Sequence, residues 1–152
     1  MSARPFRLVL DTNVVLDCLV FGDRATQELT TAIETRRVQA LVQQYTLDEL
    51  ERVLAYPQCR LTLAEQRQVL DRYLAMTTVA PMPERFSRDN LLLPPGFPHC
   101  RDTDDDPFLA LAYHTRADGL VTKDNAVLKL RRKAKAFGVA ILAPVDLSFS
   151  AG

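Results

Sequence analysis

Short apolar runs alternate along this chain with longer amphipathic stretches. Residues 7–10 form a compact apolar run of buried-strand length. Residues 38–42, 77–80, 119–122 and 137–142 are four more such runs. Helical patterns lie between them. Residues 14–21 are apolar enough to begin one, and residues 23–37 place Ala25, Leu29, Ala32 and Ile33 on one stripe. Thr46 opens a third with Leu47, Leu50, Val53 and Leu54 inward, and Pro57 stops it. Thr62 and Glu65 have capping-box spacing before a helix carrying Leu63, Val69, Leu70, Tyr73 and Leu74. Residues 106–115 turn Phe108, Leu111 and Ala112 inward, and residues 125–135 predict a basic helix. Apolar strands alternating with amphipathic helices imply parallel pairing. The fold class is therefore α/β, with a central, mainly parallel five-stranded sheet of Rossmann type and helices on both faces.

One segment breaks the alternation. Residues 81–100 contain Pro81, Pro83, Pro94, Pro95, Pro98 and Gly96, which predicts a loop. Loops of that length in compact domains are often functional. Too little chain follows it to form a second core, so residues 1–152 read as a single domain.

Composition narrows the class. No apolar run approaches the ~18 residues of a membrane span. The first apolar run ends in Asp11 and lacks a signal-peptide cleavage pattern. Cys18, Cys59 and Cys100 are odd in number and widely spaced. That spacing suits neither a zinc site nor a disulfide framework, and predicts free thiols in a reducing cytoplasm. The formal net charge is zero, which weighs against a strong nonspecific nucleic-acid binder, so a polyanion would need a local basic patch. Lys123, Lys129, Arg131, Arg132, Lys133 and Lys135 supply the densest one; the alternative is a solvated helix face.

The candidate chemistry is acidic. In parallel α/β sheets, ligands sit beyond the carboxyl ends of the strands. Asp11 follows the first strand, Glu49 lies at the start of the helix after the second, and Asp124 comes two residues after the fourth. Asp102, Asp104, Asp105 and Asp106 precede a helix. Each has a plainer reading as a helix cap: Asp11 before Thr12, Glu49 three residues after Thr46, Asp106 before Pro107, Asp124 in a turn. All at strand ends together are less easily accidental. Gathered carboxylates repel by ~4 kcal/mol per pair at ~4 Å and an effective dielectric of ~20. Either some remain protonated or a cation compensates them. An all-oxygen set suits Mg²⁺ or Mn²⁺, ions that support phosphodiester hydrolysis.

These residues resemble a known family. LVLDTNVVLDCLV is similar to the opening strand and helix of PIN-domain nucleases, YTLDELERVLAYP to their second motif, and CRDTDDDPFLALAYHTRADGLVTKDNAVL to the third and fourth. The resemblance covers roughly residues 6–142 and is strongest to the prokaryotic toxins of toxin–antitoxin modules. It implies an α/β/α sandwich and Mg²⁺- or Mn²⁺-dependent ribonuclease activity, often in a homodimer with a small antitoxin partner. Carried over by motif, Asp11, Glu49, Asp106 and Asp124 are the catalytic, metal-holding acids. Asp105, Asn13 and Thr122 match supporting polar positions, with Asp105 also placed among the metal-side acids. Asp104 extends the acidic run, which leaves open which of Asp104, Asp105 and Asp106 is the ligand. The 81–100 loop lies outside the shared motifs.

Rival readings fit less well. A haloacid-dehalogenase-type phosphatase needs a second Asp where Asn13 stands. A receiver-like domain needs an acceptor Asp after its third strand, where no acid occurs before Glu84. A PIN fold that binds RNA or protein without catalysis is the remaining alternative.

Overall fold

The computed structural model describes residues 4–101 and 103–147. Five strands form one all-parallel sheet: β1 (Phe6–Leu10), β2 (Val38–Val42), β3 (Thr77–Val79), β4 (Gly119–Val121) and β5 (Ile141–Leu142), in the order β3-β2-β1-β4-β5. Seven α-helices accompany them: α1 (Thr12–Leu19), α2 (Gln27–Glu34), α3 (Gln44–Leu54), α4 (Leu63–Met76), α5 (Asp106–Thr115), α6 (Asn125–Leu128) and α7 (Arg131–Lys135).

Period-two alternation divides the core between the two sheet faces. On β1, Leu8 and Leu10 pack with Val14, Leu29, Ile33, Leu50, Leu54 and Tyr73, so α1 to α4 cover that face. Val9, between them, packs with Leu41, Phe108, Leu109, Leu111, Val127 and Ala134, so α5 to α7 cover the other. The chain runs outward from β1 through β2 to β3, then returns to place β4 on the other side of β1. The order of travel reverses between β1 and β4, the position at whose carboxyl ends sheets of this kind place their ligand sites.

Several sequence expectations shift in register. The 23–37 helix is shorter, a 3₁₀ turn (Arg24–Thr26) leading into α2. The 125–135 helix is two short helices, with Lys129 and Leu130 at the break. The fifth strand is confined to Ile141–Leu142, because Gly138 takes φ 83° and turns the chain after α7. The third helix begins at Gln44, so Thr46 does not cap it from outside. Instead the Thr46 hydroxyl, inside the first turn, accepts the Gln43 N–H at 3.0 Å. The Thr62–Glu65 capping box forms as expected, with bonds of 2.9 and 3.1 Å. On α4, Tyr73 and Met76 enter the core, whereas Leu63 and Leu74 remain exposed. Among the described residues, no helix is long and apolar enough to cross a membrane.

The proline-rich segment has no helix or strand, yet it is packed. Phe97 and Cys100 are buried against α5. Phe97 stacks edge-on with Tyr113 at 5.4 Å and tilts against Phe137 at 5.2 Å. Phe86 lies 5.5 Å from Tyr45, and His114 Nε2 is 2.7 Å from the Leu91 carbonyl. The loop thus closes the sheet face that α5 leaves open. Phe97→Ala should cost about 3–5 kcal/mol, the usual cost of deleting a buried aromatic. Urea unfolding measures that loss, limited proteolysis should show faster cleavage within residues 81–100, and a wild-type midpoint would mean the loop adds nothing to the packed face.

Candidate active site

Asp11 sits where β1 ends, on a backbone hydrogen-bonded to β4 through Asp11 N–H to the Val121 carbonyl, 3.0 Å. Its carboxylate makes no closed capping hydrogen bond to α1. Instead Oδ2 accepts the buried Thr122 hydroxyl at 2.8 Å, across the β1–β4 seam. Asp11 and Thr122 line one narrow crevice with Asp105, above Phe108, Leu120 and Val127. The hydroxyl of Thr122 also accepts the Asp124 N–H at 3.0 Å, so one threonine orients both the first and the fourth acid.

Asp124 caps α6, its Oδ1 accepting Ala126 N–H at 2.8 Å. The cap reading from sequence therefore holds, and the same carboxylate stands near enough to Asp11 to oppose its ionisation. Glu49 lies in the second turn of α3, beyond capping range. Its Oε2 accepts the Thr12 hydroxyl at 2.8 Å, and Arg52 approaches its Oε1 at 3.7 Å. Thr12 thereby ties Glu49 to the residue next to Asp11, a role that adjacency to Asp11 alone could have suggested.

The three consecutive acids diverge. Asp105 faces the crevice beside Asp11. Asp104, the residue before it, acts electrostatically on Glu49 and pairs with Arg88 at 3.6 Å. Asp106 is buried and turned toward the loop: Oδ1 accepts Cys100 N–H at 2.7 Å, and Oδ2 lies 3.3 Å from His99 Nδ1. Asp102 lies outside the described residues. Asp105 is thus the member of the run that shares Asp11's crevice, whereas Asp106 anchors the loop that borders it.

Electrostatics bind the acids into one group. Burial pushes the Asp11 carboxyl above its ordinary range, and Asp124 pushes the same way; the Thr122 hydroxyl and nearby N–H groups of Thr12 and Asn13 oppose this without prevailing. Burial likewise raises Glu49, reinforced by the charges of Asp11 and Asp104 against the Thr12 bond and Arg52. The buried Cys100 thiol is pushed up by burial first, then by Asp106, Asp105 and Asp124. Among the described residues, no three acidic, histidine or cysteine side chains already stand as a closed cage for an ion. An ion that keeps most of its waters needs one or two direct carboxylates rather than a cage. The donor chemistry of Asp11 and Asp105, with Asp124 and Glu49 near them, fits such an ion, and its charge would relieve the strain on Asp11 and Glu49.

The basic residues are more committed than the sequence suggests. Lys123 Nζ is 2.5 Å from Asp17 Oδ2, a buried acid on α1 that sequence reasoning missed although it follows Asn13 at i+4. Arg131 donates from Nε to the Ile141 carbonyl at 3.1 Å and pairs with Asp146. Lys129, Arg132, Lys133 and Lys135 are exposed. Asn13, Asp17, Lys123 and Asp124 line an open cleft of about 430 Å³ with Leu16 and Phe21.

The raised carboxyls carry a pH signature. A folded pKa above the unfolded value means the native state holds a proton that the unfolded chain releases. The stabilisation is therefore present below the ordinary carboxylate range and is lost as pH rises through the raised value. In chelator, Asp11→Asn should gain stability relative to wild type as pH rises from about 4 to about 7. Thermal melts of both proteins across that range measure it, and a constant difference would show that Asp11 ionises as freely folded as unfolded.

A comparison with curated proteins gives no match. The sequence pattern of the PIN domain, however, matches residues 7–126, most of the chain, and spans Asp11, Glu49, Asp105, Asp106 and Asp124. The chain belongs to the PIN-domain family, whose members are generally nucleases.

Proposed function

We propose that this protein is a metal-dependent ribonuclease, hydrolysing RNA phosphodiester bonds with Mg²⁺ or Mn²⁺. The observation that carries the reading is the convergence at one crevice of Asp11 and Asp105, with Glu49 and Asp124 close enough to perturb Asp11 or be perturbed by it. Four carboxylates so close are electrostatically costly without a cation. When bound, the divalent ion supplies charge stabilisation to the phosphate and a more acidic water.

The chain's own residues do the rest. Thr122 fixes the orientation of Asp11, and Thr12 fixes that of Glu49. Burial of Asp11 and Thr122 keeps the inner end of the crevice dry, where charge interactions are strongest. Asn13 and Asp124 border the cleft on the α1 side, where a polynucleotide would approach. Lys129 and Arg132 are exposed cations able to contact its phosphates. Lys123 and Arg131 would first have to release their carboxylate partners.

The resemblance to toxin-type PIN proteins supports a finer reading: the toxin of a toxin–antitoxin module, acting in the cytoplasm, with a small antitoxin as partner. Exposed Leu63 and Leu74 on α4 support association into a homodimer.

Wild-type protein should gain thermal stability with millimolar Mn²⁺ and cleave RNA. Asp11→Asn should cut the rate by ~100-fold or more, the scale of losing one preorganised charge group. Glu49→Gln separates a site carboxylate from a structural acceptor. Gln still accepts the Thr12 hydroxyl but removes a charge. Cleavage should fall by a similar factor while the metal-free melting temperature stays level or rises, since a like-charge repulsion is gone. RNA cleavage at the wild-type rate would show that Glu49 serves Thr12 alone.

A further inference from the structure

A second cleft adjoins the acidic crevice. About 520 Å³ in volume, it lies between the 81–100 loop and the start of α5, with Arg88, Asn90, Leu91, His99, Asp104 and Pro107 among its walls. That volume falls in the ~300–1,000 Å³ range of small-ligand sites. Its lining mixes a guanidinium, an amide and an imidazole with aliphatic surface and with the carboxylates of Asp89, Asp104 and Asp106, so Arg88 is the group on which a phosphate could settle and the amide and aliphatic surface are where a base could lie.

Its position ties it to the acids. Asp104 lines the cleft and also opposes the ionisation of Glu49, while the next residue, Asp105, faces Asp11. Adjacent residues lie ~3.8 Å apart along the chain, so cleft and crevice share a wall. The cleft is also prebuilt. Asp106 holds the loop through Cys100 N–H, His114 holds the Leu91 carbonyl, and Ser87 and Asn90 pair through their backbones. A preformed site avoids the ordering cost of binding.

Arg88 is a cation that this neutral chain places on the wall shared with its carboxylates, as Arg52 is on the α3 side. Its pair with Asp104 is long, at 3.6 Å, and both side chains are more than half exposed, at 60% and 58%. Exposed pairs of that kind contribute little and exchange readily. Lys123 and Arg131 are held more closely by their own partners. A guanidinium binds phosphate oxygens in a fork that a carboxylate at 3.6 Å does not use fully.

Resting on the ribonuclease reading, we propose that this cleft is a substrate subsite. There Arg88 exchanges Asp104 for a phosphate one step along the strand from the cleaved bond. Leu91 and Pro107 form an apolar floor for a base, and Asn90 and His99 hydrogen-bond to it. The loop absent from the shared motifs thereby acquires a role in holding the strand.

The test measures binding apart from cleavage. A fluorescein-labelled 12-nucleotide single-stranded phosphorothioate RNA is titrated in Mg²⁺ at several salt concentrations, with fluorescence anisotropy as readout. Arg88→Ser should weaken binding about three- to tenfold and lower the salt slope by ~0.7, the loss of one phosphate contact. Arg88→Lys should restore the slope but only part of the affinity, and His99→Ala should weaken binding without changing the slope. Arg67→Ser, an exposed change on α4, serves as the control and should bind as wild type does. Wild-type affinity and slope in Arg88→Ser would overturn the subsite and leave the ribonuclease reading standing. Failure of the wild-type protein itself to bind the RNA would overturn both.

Discussion

The hydrogen bond from Thr122 to Asp11 is the contact on which the site depends. It joins the ends of β1 and β4, the pair of strands between which the chain reverses its direction of travel. At any other sheet position, residues directly after two neighbouring strands would be separated by a covering helix. At the reversal, α1 leaves over one face while the connection out of β4 leaves over the other, so no helix comes between Asp11 and Thr122. A carboxylate buried there would be expensive without a partner. Thr122, fully buried, supplies one hydrogen bond and leaves the remainder of the cost as a raised pKa.

Hydroxyls recur around this centre. Thr122 holds Asp11 and the backbone of Asp124, Thr12 holds Glu49, and Thr46 closes the first turn of the helix that carries Glu49. A threonine can orient a carboxylate without neutralising it. Lysine or arginine in the same places would pair with the acids and compete with any incoming cation. The cations that are present nearby stand off, Arg52 at 3.7 Å from Glu49 and Arg88 at 3.6 Å from Asp104, or are engaged elsewhere, as Lys123 is with Asp17. The arrangement preserves negative charge in a protein whose net charge is zero.

The acidic run shows how one short segment serves several ends. A 3₁₀ turn over Thr103–Asp105 leads into α5, and each successive residue turns to a different side. Asp104 faces the loop and Glu49, Asp105 the crevice, and Asp106 the backbone of Cys100. Burying Asp106 is tolerable because a backbone N–H and an imidazole meet it. That expenditure fixes the loop against α5 and so sets the wall between the crevice and the larger cleft.

Period and punctuation alone determined the alternating order of five apolar runs and their helices, the parallel sheet that order implies, the α4 capping box and the length of α5. They did so because burial on one or both faces leaves a repeat that local residues cannot hide. The same strand-end logic brought Asp11 and Asp124 forward, since parallel sheets collect loops at one edge. Tertiary structure alone decided which neighbours those acids meet. Glu49 stands at a capping-box distance from Thr46, yet α3 begins earlier and the carboxylate is satisfied from Thr12, 37 residues away. Asp104, Asp105 and Asp106 are chemically identical, so no pattern in their order distinguishes them. The turn angles before α5 do. Lys123 and Arg131 look like free cations in a basic stretch, but their partners come from α1 and from the segment after β5. Side-chain partnerships of this kind are set by approach in space across distant segments, and the chain's local order carries no trace of them.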